Sequence, residues 1–77
     1  METDFEIFMD NVAWLRKHHK LTKKKMAQIM GIGVKSLTLI ENGIFPERLR
    51  IDACLNTQRY FGIPVKDLLQ NRLDKMQ

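Results

Sequence analysis

The sequence predicts an all-α fold, a compact single domain spanning residues 1–77, and three observations carry that expectation. Residues 21–43, LTKKKMAQIMGIGVKSLTLIENG, read as two short helices joined by a tight glycine turn. Apolar residues on either side of this segment recur at helical rather than alternating spacing, with glycine and proline at the breaks. No strand signal, internal repeat, low-complexity tract or long linker interrupts the pattern. Five helices account for the chain.

The first helix is expected over residues 4–19. Thr3 and Glu6 stand three apart as a candidate capping box, and Phe5, Phe8, Val12 and Leu15 form an apolar stripe. The second covers residues 23–30, with Thr22 placed to cap it. The third covers residues 34–41 and stops at Gly43. A loop holding Pro46 leads to a fourth, residues 48–61, expected to turn Ile51, Cys54, Leu55 and Phe61 inward before Gly62 ends it. Pro64 suits the start of a fifth, residues 65–73, in which Leu68, Leu69 and Leu73 are apolar. With Met76, those leucines offer more apolar surface than one small core should need, so part of it is expected to form a two-fold interface.

The second and third helices need the closest reading. Met26, Met30, Ile32, Leu37 and Ile40 are the apolar positions, with small Ala27 among them and Gly31 at the turn. Two helices crossing steeply over a short turn need a small residue where their backbones come closest. They also need aliphatics on both inward faces and a glycine where the chain turns sharply. The order is that of a helix-turn-helix (motif about residues 22–42), which leaves the outer face of the second motif helix free to enter a DNA major groove.

Charge is distributed unevenly. The net charge is +4, yet residues 11–40 contain no acid and seven bases: Arg16, Lys17, Lys20, Lys23, Lys24, Lys25 and Lys35. An acid-free block coincident with the motif makes a one-sided positive field suited to a polyanion; a solvated lysine face is the plain alternative. Cys54 is the single cysteine, so no internal disulfide forms, and a reducing compartment is expected. The first ten residues carry four acids and no base, unlike a signal peptide. No apolar run approaches the ~18 residues of a membrane span. A soluble, cytoplasmic domain is expected, without membrane contact.

The chain resembles the phage-repressor-like helix-turn-helix proteins of the lambda-repressor/Cro (XRE) type. The residues that carry the resemblance are Arg16, Leu21–Thr22, Ala27, Gly31–Ile32, Leu37, Ile40 and Glu41–Asn42–Gly43, together with the later FGIPVKDLL at residues 61–69. It covers about residues 11 to 70. It implies a five-helix lambda-repressor-like fold, an ion pair between Arg16 and Glu41, and a third helix that reads double-stranded DNA. Carried over position by position, it marks Lys23, Lys24, Val34, Lys35, Ser36, Thr38, Leu39, Asn42 and Arg48 as candidate DNA-binding residues.

Several of those positions depart from the family's habit. Gly33, Val34, Lys35 and Leu39 stand where members place a capping hydroxyl and polar base readers, and Lys23 replaces a frequent glutamine. Only Lys35 is an obvious donor to guanine or phosphate; Ser36 and Thr38 add hydroxyls, and Val34 and Leu39 can touch thymine methyls. Arg48 and Arg50 can supply backbone or minor-groove contacts, or can pair with Glu47 or Asp52 on the surface. Ile7 and Trp14, seven apart, form either a docking surface for a protein partner or the edge of the core. Cys54 reads as a small core residue. Adjacent His18 and His19 diverge by about 100° on a helix and cannot share a metal as an i, i+4 pair would.

No nucleophile–base arrangement, metal cluster or phosphate loop points to an enzyme, and no cofactor is implied. The expected function is a DNA-binding transcriptional regulator, a repressor acting as a homodimer on a pseudo-palindromic site. The alternative is a helix-turn-helix domain repurposed as a protein-interaction or antitoxin-like module, favoured by apolar Val34, Leu39 and Trp14.

Overall fold

In the computed structural model, which describes residues 3–75, five α-helices form in the expected order: α1 Asp4–His18, α2 Lys23–Met30, α3 Val34–Glu41, α4 Ile51–Phe61 and α5 Val65–Gln70. A single 3-10 turn, Leu73–Lys75, follows, and no strand occurs among the described residues. The radius of gyration is 11.1 Å, against about 11.5 Å for a folded chain of this length.

Local chemistry explains each start and stop. Thr3 Oγ1 accepts from the Glu6 N–H at 3.2 Å and Thr22 Oγ1 from the Lys25 N–H at 3.0 Å, so both N-caps form as expected. Glu6 contributes only its backbone donor, however; the reciprocal carboxylate bond of a capping box is not made. Helices α1, α2 and α3 end in the same way. In each, a residue one or two positions past the end turns left-handed, and the next N–H reaches back five residues: Leu21 to the Arg16 carbonyl, Ile32 to Ala27 and Ile44 to Leu39. Glycine fills the left-handed position at Gly31 (φ +75°) and Gly43 (φ +80°), as that motif prefers. After α1 the position belongs to Lys20, at φ +55°.

Helix α1 lies against α3 and α5, and α2 against α3 and α4. Phe8, Met9, Val12 and Leu15 of α1, Met26, Ala27 and Met30 of α2, and Leu37 and Ile40 of α3 are all buried in one cluster. At the α2 end, Asn56 Nδ2 donates to the Met30 carbonyl at 3.0 Å, and a Cβ placed on Gly31 would stand 2.9 Å from that same nitrogen. Gly31 is therefore needed both for the turn and for the close approach of α4.

Four expectations require correction. Phe5 does not join the α1 core stripe; one turn before Phe8 it overhangs the helix start and its ring meets Phe45 at 4.6 Å. Helix α4 begins at Ile51 rather than residue 48 and turns Ala53, Cys54 and Thr57 inward, leaving Ile51 and Leu55 exposed. Helix α5 ends at Gln70, because buried Asn11 of α1 captures the chain that follows. Its Nδ2 donates to the Leu68 and Asn71 carbonyls at 2.8 and 2.9 Å, and its Oδ1 accepts from the Leu73 N–H at 2.9 Å. Finally, Leu68 and Leu73 are buried in the chain's own core and Leu69 is half-buried, so of these three leucines only Leu69 keeps some apolar surface for an interface. Met76 lies outside the described residues.

Candidate nucleic-acid interface

The motif is braced from behind. Arg16 Nε donates to Glu41 Oε2 at 2.6 Å and Nη2 to Oε1 at 2.8 Å, while Nη1 donates to the Leu21 carbonyl at 3.1 Å. The ion pair implied by the resemblance is present. It ties the end of α1, the α1–α2 turn and the end of α3 into one unit. Hydrogen bonding to Glu41 raises the Arg16 pKa, with burial opposing and the Glu41 charge adding to it. Engaged in this way, Arg16 leaves the positive field; six lysines of the acid-free block remain.

Those lysines are not equivalent. Lys17, Lys20, Lys24, Lys25 and Lys35 are exposed, whereas Lys23 is half-buried and its Nζ lies 3.5 Å from Thr38 Oγ1. Thr38 Oγ1 in turn donates to the Val34 carbonyl at 3.0 Å, one turn back in the same helix. Its proton is occupied and its lone pair faces Lys23. Thr38 thus joins α2 to α3 rather than presenting a free hydroxyl.

Helix α3 has two outward ridges at i, i+4 spacing. Val34, Thr38 and Asn42 form one, toward Lys23; Val34 is 44% exposed and Asn42 is exposed at the helix end. Lys35 and Leu39 form the other, and with Ser36 they wall an open cleft of about 700 Å³ whose far side is Pro46, Glu47, Arg48, Leu49 and Arg50. The α2–α3 turn and the first residues of α4, including Asp52 and Asn56, close it. Lys24, on the exposed side of α2, does not line this cleft. Of the nine candidate residues, the structure gathers Lys35, Ser36, Leu39 and Arg48 here and sets Lys23, Val34, Thr38 and Asn42 on the neighbouring ridge.

Arg48 and Arg50 are exposed, and among the described residues no side-chain hydrogen bond or ion pair engages them. Surface pairing with Glu47 or Asp52 is therefore not how they are held. Both line the cleft together with Glu47 and Asp52, so its rim is mixed in sign, and Lys35 makes its wall on α3 basic. Asn56 and the acids of the rim were not apparent as site residues, because only the tertiary approach of α4 brings them to the motif.

Trp14 and Ile7 stand on α1 outside its buried stripe. Both are half-buried; Trp14 packs against the core edge, and its indole stacks on His18 with centroids 4.4 Å apart and planes inclined by 12°. Cys54 is buried, and burial raises its thiol pKa. Among the described residues no three His, Cys, Asp or Glu side chains are grouped to hold a metal ion, and no helix is long and apolar enough to cross a membrane. Comparison of the chain with protein-family models, with curated proteins and with solved structures gives no match.

Proposed function

We propose that this chain is a double-stranded-DNA-binding transcriptional regulator that presents α3 to the major groove, works as a homodimer on a pseudo-palindromic site and acts as a repressor in the cytoplasm. The observation that carries the reading is the position of charge on the motif. Exposed Lys24 and Lys25 sit at the first turn of α2, exposed Lys35 sits at the first turn of α3, and Arg48 and Arg50, with no ion pair among the described residues, lie across the cleft. A rigid helix pair bearing cations at both leading ends matches a groove flanked by phosphates on each side. The resemblance to lambda-repressor-like proteins supports the same assignment.

In this reading Lys24 and Lys25 meet phosphate. Lys35 reaches a base edge at the groove floor or a phosphate at its rim, Ser36 and Asn42 add polar contacts, and Val34 and Leu39 rest against thymine methyls. Lys23 and Thr38 hold α2 and α3 in register, and Arg48 takes the backbone across the cleft. Direct readout is sparse, so DNA shape carries part of the specificity.

The test is binding to duplex DNA across a salt series, followed by selection of a preferred site. Each phosphate neutralised contributes about 0.9 to the slope of log affinity against log salt. Binding that weakens steeply with salt, with a slope reduced by Lys24→Ala and Lys25→Ala on all sequences alike, supports the proposal. Affinity independent of salt, or none at low salt, overturns it in favour of a protein partner, a second reading that the exposure of Val34, Ile44 and Phe45 around α3 favours.

A further inference from the structure

Helix α4 carries a face that the fold leaves uncovered. Ala53, Cys54 and Thr57 are buried, whereas Ile51 is 65% and Leu55 37% exposed, with Asp52 and Arg59 exposed beside them. Ile51 and Leu55 are four apart, one turn along a single ridge, and Arg59 continues it. At 100° per residue, Leu55, Arg59 and Asp52 fall within about 60° of the helix circumference, with Ile51 at their edge. An exposed helix face serving only solvent has no reason to hold two large aliphatics at that spacing.

The charges on this face show what fits it. Among the described residues neither Asp52 nor Arg59 makes an ion pair. One is acid and one is base, placed at equal distances on either side of the Leu55–Asn56 centre. A partner of a single charge sign would be attracted at one end and repelled at the other. A second copy of the same helix, running antiparallel about a two-fold axis at that centre, is attracted at both. Each Asp52 then comes level with Arg59 of the other copy, and Leu55 meets its own symmetry mate between the two pairs. This is the self-complementarity an isologous contact requires.

We infer that two copies of this chain associate through antiparallel α4 helices, with Leu55 at the two-fold axis and Asp52–Arg59 pairs on each side of it. Helix α4 has eleven residues, about 16 Å of helix, which is short for the total area of about 1,200–2,000 Å² that a standard interface buries. The association is therefore weak in isolation. It supplies the dimer surface for the DNA-binding reading but does not depend on DNA.

Sedimentation equilibrium of the whole chain, without DNA, from micromolar to millimolar concentration tests it. The wild type is expected to show a monomer–dimer equilibrium. Asp52→Arg and Arg59→Asp should each weaken it about tenfold or more by setting like charges together, and the double exchange should restore it. Both sites are exposed, and circular dichroism checks that each variant stays folded. A wild type monomeric at millimolar concentration, single variants that associate normally, or a double variant that does not recover overturns the inference. A wild type that dimerises yet fails to bind DNA leaves it standing and overturns the DNA-binding reading instead.

Discussion

The Arg16 guanidinium and the Glu41 carboxylate meet edge to edge, in two parallel hydrogen bonds of 2.6 and 2.8 Å between side chains only 18% and 10% exposed. The fork geometry fixes orientation as well as distance, so the end of α3 is held against α1 at one angle. Removing one partner leaves a largely buried charge without its counter-ion. Arg16→Ala or Glu41→Ala should each cost about 3 kcal/mol, read from urea unfolding, and the double variant should cost clearly less than the two together. Additive losses would show that the pair is incidental.

Gly31 and Gly43 separate two effects that usually travel together. Both have φ near +80°, so alanine at either is strained. Only at Gly31 would the added Cβ also strike Asn56 Nδ2, at 2.9 Å. Gly43→Ala should cost about 1 kcal/mol. Gly31→Ala should cost more, because Asn56 must give up its bond to the Met30 carbonyl as well. Equal losses in thermal melts would mean that α4 does not approach the motif as closely as described.

These contrasts also show what could be read in the sequence and what could not. The bounds of α2 and α3, their caps and Gly31 were legible because each rests on contacts within a few residues. Ile51 and Leu55 were misplaced because an eleven-residue helix shows two apolar arcs, and only neighbouring elements choose between them. Asn11 gave no signal at all. A polar residue amid Phe8, Val12 and Leu15 reads as surface until the chain after α5 returns to meet it. The candidate interface was legible as residue types but not as a shape, since the cleft is made by a loop whose path no local pattern dictates.

Asn11 gives the third prediction. It satisfies two carbonyls and one N–H of the segment after α5 while 2% exposed. Asn11→Leu keeps the branching at Cγ, adds some bulk and abandons all three bonds, so it should cost about 3 kcal/mol. Amide exchange should show the Leu73 N–H losing protection before the rest of the core. Uniform loss of protection would mean that the segment after α5 is held by Leu73 packing rather than by Asn11.

Lys20 sits in the left-handed position that glycine holds after α2 and α3. Lys20→Gly should therefore stabilise the fold by up to about 1 kcal/mol. The same change removes a cation from the acid-free block and should lower DNA affinity while reducing the salt slope by about 1. A variant that gains stability and keeps full affinity would show that Lys20 does not face the DNA.

Lys35 tests the specificity element itself. It is exposed at the first turn of α3, walls the cleft opposite Arg48 and makes no side-chain hydrogen bond or ion pair among the described residues. A lysine there can donate to guanine O6 and N7, or can rest on phosphate as a point charge. The first outcome is expected. Lys35→Ala should cost about 1–3 kcal/mol on the preferred site and relax selection at one base pair. Lys24→Ala, changing an exposed cation of α2 outside the cleft, should weaken matched and random DNA alike. Uracil in place of thymine beside Val34 or Leu39 should weaken binding slightly, through the lost methyl contact. The two lysines are thus distinguished by the ratio of affinities rather than by affinity alone. If Lys35→Ala lowers both equally, Lys35 is a phosphate contact; readout then falls to DNA shape or to Arg48 across the cleft, and α3 is not the element that reads sequence.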